Sequence, residues 1–277
     1  MRRYDVDSLD NRDPAALAAF ARSVEAVARP YFRAELRGVE RAPSGPALYV
    51  GNHSGGLVTP DSFLLLAGLF TTAGVDAVPY VLAGDSALRL PGANQLLAPL
   101  GAVRASIATA TALLERRDKV LVYPGGDRDA MRAYRDRDRV IFAGRTGYIR
   151  LALQAGVPIV PVVTAGAHAG LVILSDGQGI ARALRANRLL RIDTWPVALC
   201  LPWGLVIGPG LLYLPWPTRI LTALLEPIHF ERQGPAAAAD RAYVRACADL
   251  VERRMQRALS ELAIERRAAR SLWRRSA

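Results

Sequence analysis

The sequence predicts a single α/β domain whose mostly parallel central sheet is covered by helices on both faces. Three observations predict it. Short apolar runs end in glycine or turn residues, segments of helical period separate them, and no internal repeat or low-complexity linker divides the chain.

The expected elements follow in order. Asp13-Pro14, a cap and first-turn pair, opens a helical pattern from Ala15 to Tyr31. A short basic strand lies in FRAELRGVE, and the turn APSGP leads into ALYVGNH. That run is short, apolar and stopped by Gly51, as a buried central strand would be. Further strands are expected in DAVPYVLAG, KVLVYPGG and VPIVPVVTAG, with helices at Ser62–Phe70, Ile107–Arg116 and Gly147–Ala155 between them. From Asp240 to Trp273 the pattern reads as one long arginine-rich helix. The chain thus divides into an N-terminal amphipathic helix (1–30), a main domain (31–233) and a basic C-terminal helix (234–277).

Composition narrows the function. With 277 residues, 51% hydrophobic and 22% charged, the chain has ample material for a buried core and is not a disordered sequence. A net charge of +11 favours an anionic partner: nucleic acid, a membrane surface or a phosphorylated substrate. Aromatic residues are only 7%, and no nucleic-acid-binding module appears, so no nucleic-acid partner is expected. Cys200 and Cys247 are the only cysteines, too few for a disulfide framework or a cysteine zinc site. Acidic residues interrupt the start of the chain where a secretion signal would be apolar.

One segment raises the question of lipid. Thr194 to Thr218 carries no charge and is long enough to span a bilayer, yet five prolines and three glycines would break a helix there. A buried loop, or an apolar ledge resting in one leaflet, is expected instead. The arginines beyond residue 250, with Trp273, suit either an interfacial helix on an anionic membrane surface or a solvated basic face packed on the domain. These features place the protein at the cytoplasmic face of a membrane, peripheral or monotopic.

The candidate base is narrowed by scarcity. His53, His168 and His229 are the only histidines. His229 follows an apolar strand-like stretch and reads as structural or exposed, whereas His168 in TAGAHAG follows a strand. His53 follows the buried run and precedes Gly55-Gly56, where backbone or substrate can approach closely, with Asp61 nearby. No G-x-S-x-G elbow, P-loop or dinucleotide fingerprint occurs, and Gly84-Asp85-Ser86 is only a three-letter hydrolase match.

Four blocks in order resemble the glycerolipid and lysophospholipid acyltransferase family. Asn52-His53 followed by Asp61 is similar to its Asn-His…Asp block, and Gly101 to Ser106 to the block whose arginine helps hold the acceptor. Tyr123-Pro124-Gly125-Gly126-Asp127-Arg128 stands where the family has Phe-Pro-Glu-Gly-x-Arg. Gly156 to Pro161 resembles the final Gly-x-Pro-Ile-x-Pro block, and PTRILTALLEPI echoes a later strand. The resemblance implies a glycerol-3-phosphate acyltransferase-like fold for 31–233. It also implies an acyl-CoA or acyl carrier protein donor, a lipid acceptor and no bound cofactor or metal. His53 would be the general base and Asp61 its partner, with Asp85 as the fallback. Asn52, Gly55, Gly56, Arg104, Ser106, Gly125, Gly126 and Arg128 would bind substrate, and backbone N–H groups of Ser54-Gly55-Gly56 would meet the oxyanion.

Two departures qualify that reading. The family's His-x4-Asp spacing places Val58 where the carboxylate belongs, so Asp61 must be folded back by the glycine-rich loop. Gly125 replaces the family glutamate, and this Pro-Gly-Gly version resembles the branch related to monoacylglycerol and diacylglycerol acyltransferases. The expected function is a membrane-associated O-acyltransferase acting on a glycerolipid or lysophospholipid. The alternatives are a peripheral lipid-binding protein on an acyltransferase scaffold and a serine lipase using Ser86.

Overall fold

A computed structural model describes residues 3–56, 58–89, 92–186, 192–208 and 213–276, with the side chains of Ser86, Arg89 and 269–276 outside the described set. Ten strands are formed: β1 (Glu35–Arg37), β2 (Ala47–Gly51), β3 (Tyr80–Ala83), β4 (Ala102–Arg104), β5 (Lys119–Val122), β6 (Ile159–Ala165), β7 (Val172–Ser175), β8 (Val197–Cys200), β9 (Gly204–Ile207) and β10 (Leu221–Leu224). The helices used below are α1 (Pro14–Ser23), α2 (Pro60–Ala73), α3 (Ile107–Glu115), α4 (Gly126–Ala130), α5 (Gly147–Ala155), α6 (Gln178–Ala183) and α7 (Arg241–Ser276).

Seven strands make the main sheet in the order β1-β10-β6-β2-β5-β3-β4. Five neighbours, β6 through β4, run parallel, and β10 closes against β6 in the opposite sense. Strand β2 is central and wholly buried, and its period-two alternation decides the layering. Leu48 and Val50 point to one face, where they join Ile149 and Leu153 of α5 and Val251, Met255 and Leu259 of α7. Ala47 and Tyr49 point to the other, against Leu17 of α1 and Leu65, Leu66 and Leu69 of α2. The result is the three-layer α/β arrangement that the alternating pattern predicts. The N-terminal and C-terminal helices pack on opposite faces of the main domain's sheet.

Local chemistry sets the helix ends. Asp13 caps α1 by accepting the Ala15 N–H at 2.8 Å, and Pro14 occupies the first turn. The expected continuation to Tyr31 holds its direction but widens into a π-helical turn at Val24–Ala28. Pro60 starts α2 and places Asp61 in its first turn, where the helix dipole favours a carboxylate.

The uncharged Thr194–Thr218 segment is where the expectation changes most. It forms neither a spanning helix nor a buried loop over its described length. Strands β8 and β9 make a hairpin that pairs with β7 in a second, antiparallel sheet. Of the prolines and glycines that forbid a helix, Pro202 lies in the turn between β8 and β9 and Gly204 opens β9. No helix among the described residues is long and apolar enough to cross a membrane.

The long helix α7 also resolves an ambiguity. Val244, Cys247, Ala248, Val251, Met255, Leu259, Leu262 and Ala263 are all buried, so its apolar stripe is used by the sheet and is not left for lipid. Arg253, Arg254 and Arg257 lie on the solvated face. The side chains of Arg270, Trp273, Arg274 and Arg275 lie outside the described residues. Met255→Ala, at a fully buried position, should therefore cost about 2–5 kcal/mol in urea unfolding. An unchanged midpoint would mean that α7 is an appendage.

Candidate active site

The parallel strands end together along one edge of the sheet, the place where open α/β folds bind ligands. Strand β2 delivers Asn52 and His53 there, β5 delivers Tyr123 to Arg128, and β6 delivers Gly166 to His168.

His53 and Asp61 meet at this edge. His53 Nδ1 lies 3.4 Å from Asp61 Oδ2, long for a hydrogen bond but in the range that tightens when substrate binds. The eight-residue separation is bridged by a non-helical loop in which Gly55 and Gly56 take φ of 87° and 64°. Asp61 is buried and further held by the Ser54 and Ser62 N–H groups, each at 2.8 Å. The imidazole stacks on Tyr123 with ring centroids 4.3 Å apart and an interplanar angle of 21°. The His53 side chain is 18% exposed, so the ring is partly open to solvent. Asp85, the fallback partner, is instead paired with Arg104 at 3.3 Å.

Three residues that the sequence analysis did not select build this geometry. Gly51 has no room for a side chain, since a Cβ would stand 2.4 Å from the Tyr123 ring. It therefore permits the Tyr123–His53 stack. The other two are Asp129 and Arg132, a buried ion pair at 3.0 Å with side chains 0% and 1% exposed. Asp129 accepts the His53 N–H at 2.5 Å, and Arg132 donates to the His53 carbonyl and to Ser54 Oγ. Together they grip both sides of the His53 peptide. An acid and a base three residues apart after a Gly-Gly turn was the available signal.

His168 supports the same clamp. It is buried and bonds through Nε2 to the Arg132 carbonyl at 2.6 Å. Burial, with the Arg132 charge adding to it, holds its pKa well below the usual histidine range, so it stays neutral. His229 is exposed and lies apart from this edge.

The expected substrate-binding residues separate into groups. Asn52 joins β2 to β6: its amide donates to the Thr164 carbonyl and accepts the Thr164 N–H. Ser106 Oγ caps α3 by accepting the Thr109 N–H at 2.9 Å. Gly125 approaches the chain too closely to present a contact. A Cβ there would lie 2.3 Å from both Asp129 Cβ and the Ile141 carbonyl oxygen, so this backbone has no space for the glutamate of related sequences. Gly126 adopts a left-handed φ of 56° beside Arg145. The oxyanion expectation also narrows: Ser54 N–H is bonded to Asp61 and Gly56 N–H to the Ala130 carbonyl. Among the described residues only the Gly55 N–H of that loop has no partner.

Arginines flank the edge at two distances. Arg128 is 40% exposed and pairs with Asp193 at 3.3 Å. Arg145 lies beside it, bonded to the Pro124 and Gly125 carbonyls, one strand from His53. Arg104 is not gathered with them. It ends β4, three strand positions from β2 or roughly 14 Å. There it lines a separate polar cavity of about 410 Å³ with Arg3 and Asn94. The Ser86 side chain lies outside the described residues.

Against this geometry the sequence can be compared with known proteins. Residues 33–165 match the family model Acyltransferase, a span that contains β2, His53, Asp61 and the Asp129–Arg132 pair. The matched span is just under half of the chain. In Thermotoga maritima, the crystal structure of the 1-acyl-sn-glycerophosphate (LPA) acyltransferase PlsC has the same fold: TM-score 0.54 at 18% identity, covering 89% of this chain and 79% of that one. An uncharacterized protein of Mycobacterium leprae is 28% identical over 86% of this chain and 62% of its own length. The DGAT1/2-independent enzyme synthesizing storage lipids of Gallus gallus is 30% identical over 71% of this chain and 52% of its own. The chain thus spans about half to three-fifths of these curated relatives.

The Asp129 clamp makes a pH prediction. Burial pushes the Asp129 carboxyl up to about 6, with Arg132 and the His53 N–H pulling it back toward the ordinary range. Above that pH it is charged and draws both partners; below it the neutral acid releases them. Turnover should therefore fall as the pH drops through about 6. In D129N that dependence should disappear from the acid limb and kcat should fall about tenfold or more. A kcat profile of wild type and variant decides it, and identical limbs would count against the clamp.

Proposed function

We propose that the protein is a membrane-associated O-acyltransferase that moves a fatty acyl group from acyl-CoA, or from acyl carrier protein, to a hydroxyl of a glycerolipid. The observation that carries this reading is the His53–Asp61 pair, standing at the sheet's ligand-binding edge inside the span that matches the Acyltransferase model.

A hydroxyl is a weak nucleophile until its proton is taken as it attacks. In the proposed step, His53 Nε2 receives that proton while the hydroxyl oxygen bonds to the thioester carbonyl carbon. Asp61 keeps the proton on Nδ1 and stabilises the imidazolium that forms. The free Gly55 N–H is the candidate donor to the tetrahedral oxyanion. Collapse breaks the C–S bond, and the imidazolium returns its proton to the departing sulfur. The atoms balance without a covalent enzyme intermediate.

The donor's phosphates suit Arg128 and Arg145, whose guanidinium groups stand one strand from the base. The acceptor is proposed to be a neutral glycerolipid. Gly125 supplies no side chain at the family's glutamate position, and Arg104, which resemblance would assign to the acceptor, stands at the end of β4, three strands from β2. The naming of related proteins as enzymes of storage-lipid synthesis supports the same choice.

Thiol release from acyl-CoA by the purified protein, measured with monoacylglycerol, diacylglycerol, lysophosphatidate and long-chain alcohols, tests the assignment. Release should require an acceptor and be fastest with a neutral glyceride. H53A should lose about a thousandfold or more of that rate at an unchanged melting temperature, within the range that general-base loss supports. Retained transfer by folded H53A would defeat the mechanism, and acceptor-independent release would indicate a thioesterase.

A further inference from the structure

An antiparallel sheet with one face on the core ordinarily turns polar side chains outward. The sheet of β7, β8 and β9 does not. Ile173, Ala198 and Cys200 are directed inward onto Ala130 and Met131, beneath the loop that carries His53. On the other face the register sets Val172 opposite Leu199, Leu199 opposite Leu205, and Val197 opposite Ile207. Leu199, Leu205 and Ile207 are 40%, 59% and 64% exposed. No charged residue interrupts this face, and Trp203 stands exposed at the hairpin turn.

The apolar surface continues to the loop that joins His53 to Asp61. Leu214 bonds to the Leu201 backbone just beyond β8, is itself exposed, and walls an apolar cleft of about 420 Å³. Val58 and Pro60, from the loop between His53 and Asp61, form part of the same cleft. Basic side chains border the sheet: α6 follows β7 and exposes Ile180 and Arg182, with Leu184 and Arg185 after it. Neither arginine has a carboxylate partner among the described residues.

We infer that the outward face of this second sheet seats in one leaflet of an anionic bilayer, with Arg182 and Arg185 on the headgroups. The cleft lined by Val58 and Pro60, from the loop that joins His53 to Asp61, then opens within the lipid phase, where a glyceride acceptor can enter it. Charge selects the bilayer over a second copy of the chain. An isologous dimer would bring the apolar faces together but crowd like charges at their borders, whereas anionic headgroups neutralise them. The role given to the cleft rests on the acyltransferase reading; the membrane contact does not.

The test is co-sedimentation of the full chain with phosphatidylcholine vesicles, with and without phosphatidylglycerol. Wild type should bind the anionic vesicles more tightly, and salt should weaken that preference. L205E/I207E should bind about tenfold or more weakly, and R182E or R185E about fivefold each. Turnover of a soluble short-chain monoacylglycerol should be unchanged in all of them. If the glutamate pair disturbs folding, L205T/I207T places β-branched strand formers at both positions and gives the same readout. Wild-type binding by a folded face variant would overturn the inference. So would a lipid-free dimer that the face variant dissolves. Loss of binding in the variant, with no acyl transfer by wild type, would remove the enzymatic reading and leave the surface assignment standing.

Discussion

The site depends on one buried ion pair. A histidine at the end of a strand sits on a peptide free to rotate, and its ring direction follows that rotation. Asp129 and Arg132 remove the freedom by bonding the N–H and the carbonyl of the same residue. Burying two charges is expensive, and their attraction offsets that cost only when the remaining hydrogen-bonding capacity is met. Here it is met: Ile141 N–H also reaches Asp129, and the Asp136 and Arg137 carbonyls also accept from Arg132. Charge is thus used for orientation, with the imidazole left partly open.

Glycines do complementary work by yielding space. Gly51 admits Tyr123 against His53, and Gly125 admits the Asp129 helix against the Ile141 strand-like segment. Neither contacts a reacting group. Their effect is to let aromatic and ionic side chains occupy positions that a Cβ would close. The Pro-Gly-Gly departure is therefore a packing feature of this chain, and it accounts for the missing carboxylate better than loss of chemistry does.

The main sheet was legible because its strands are continuous apolar runs and its helices keep a regular period. Ala47–Gly51 and Gly147–Ala155 fall where the pattern puts them. The second sheet was not legible: four-residue strands beside Pro202 and Gly204 look like loop, and pairing with distant β7 leaves no local trace. At the site, His53 and Asp61 could be selected by chemistry and order. Asn52 and Ser106 could not be sorted from substrate contacts, since a capping hydroxyl and a strand-joining amide use the same atoms that recognition would. Arg132 was hidden by abundance, one arginine among many, until burial distinguished it.

Every strand precedes α7 in the chain, yet Val251, Met255 and Leu259 finish one side of the sheet. As the polypeptide leaves the ribosome, that side has nothing to cover it until the closing helix emerges. Nascent chains of this protein accordingly pass through a sticky interval until α7 emerges, and chaperone shielding at that moment governs how much of the domain reaches the native state.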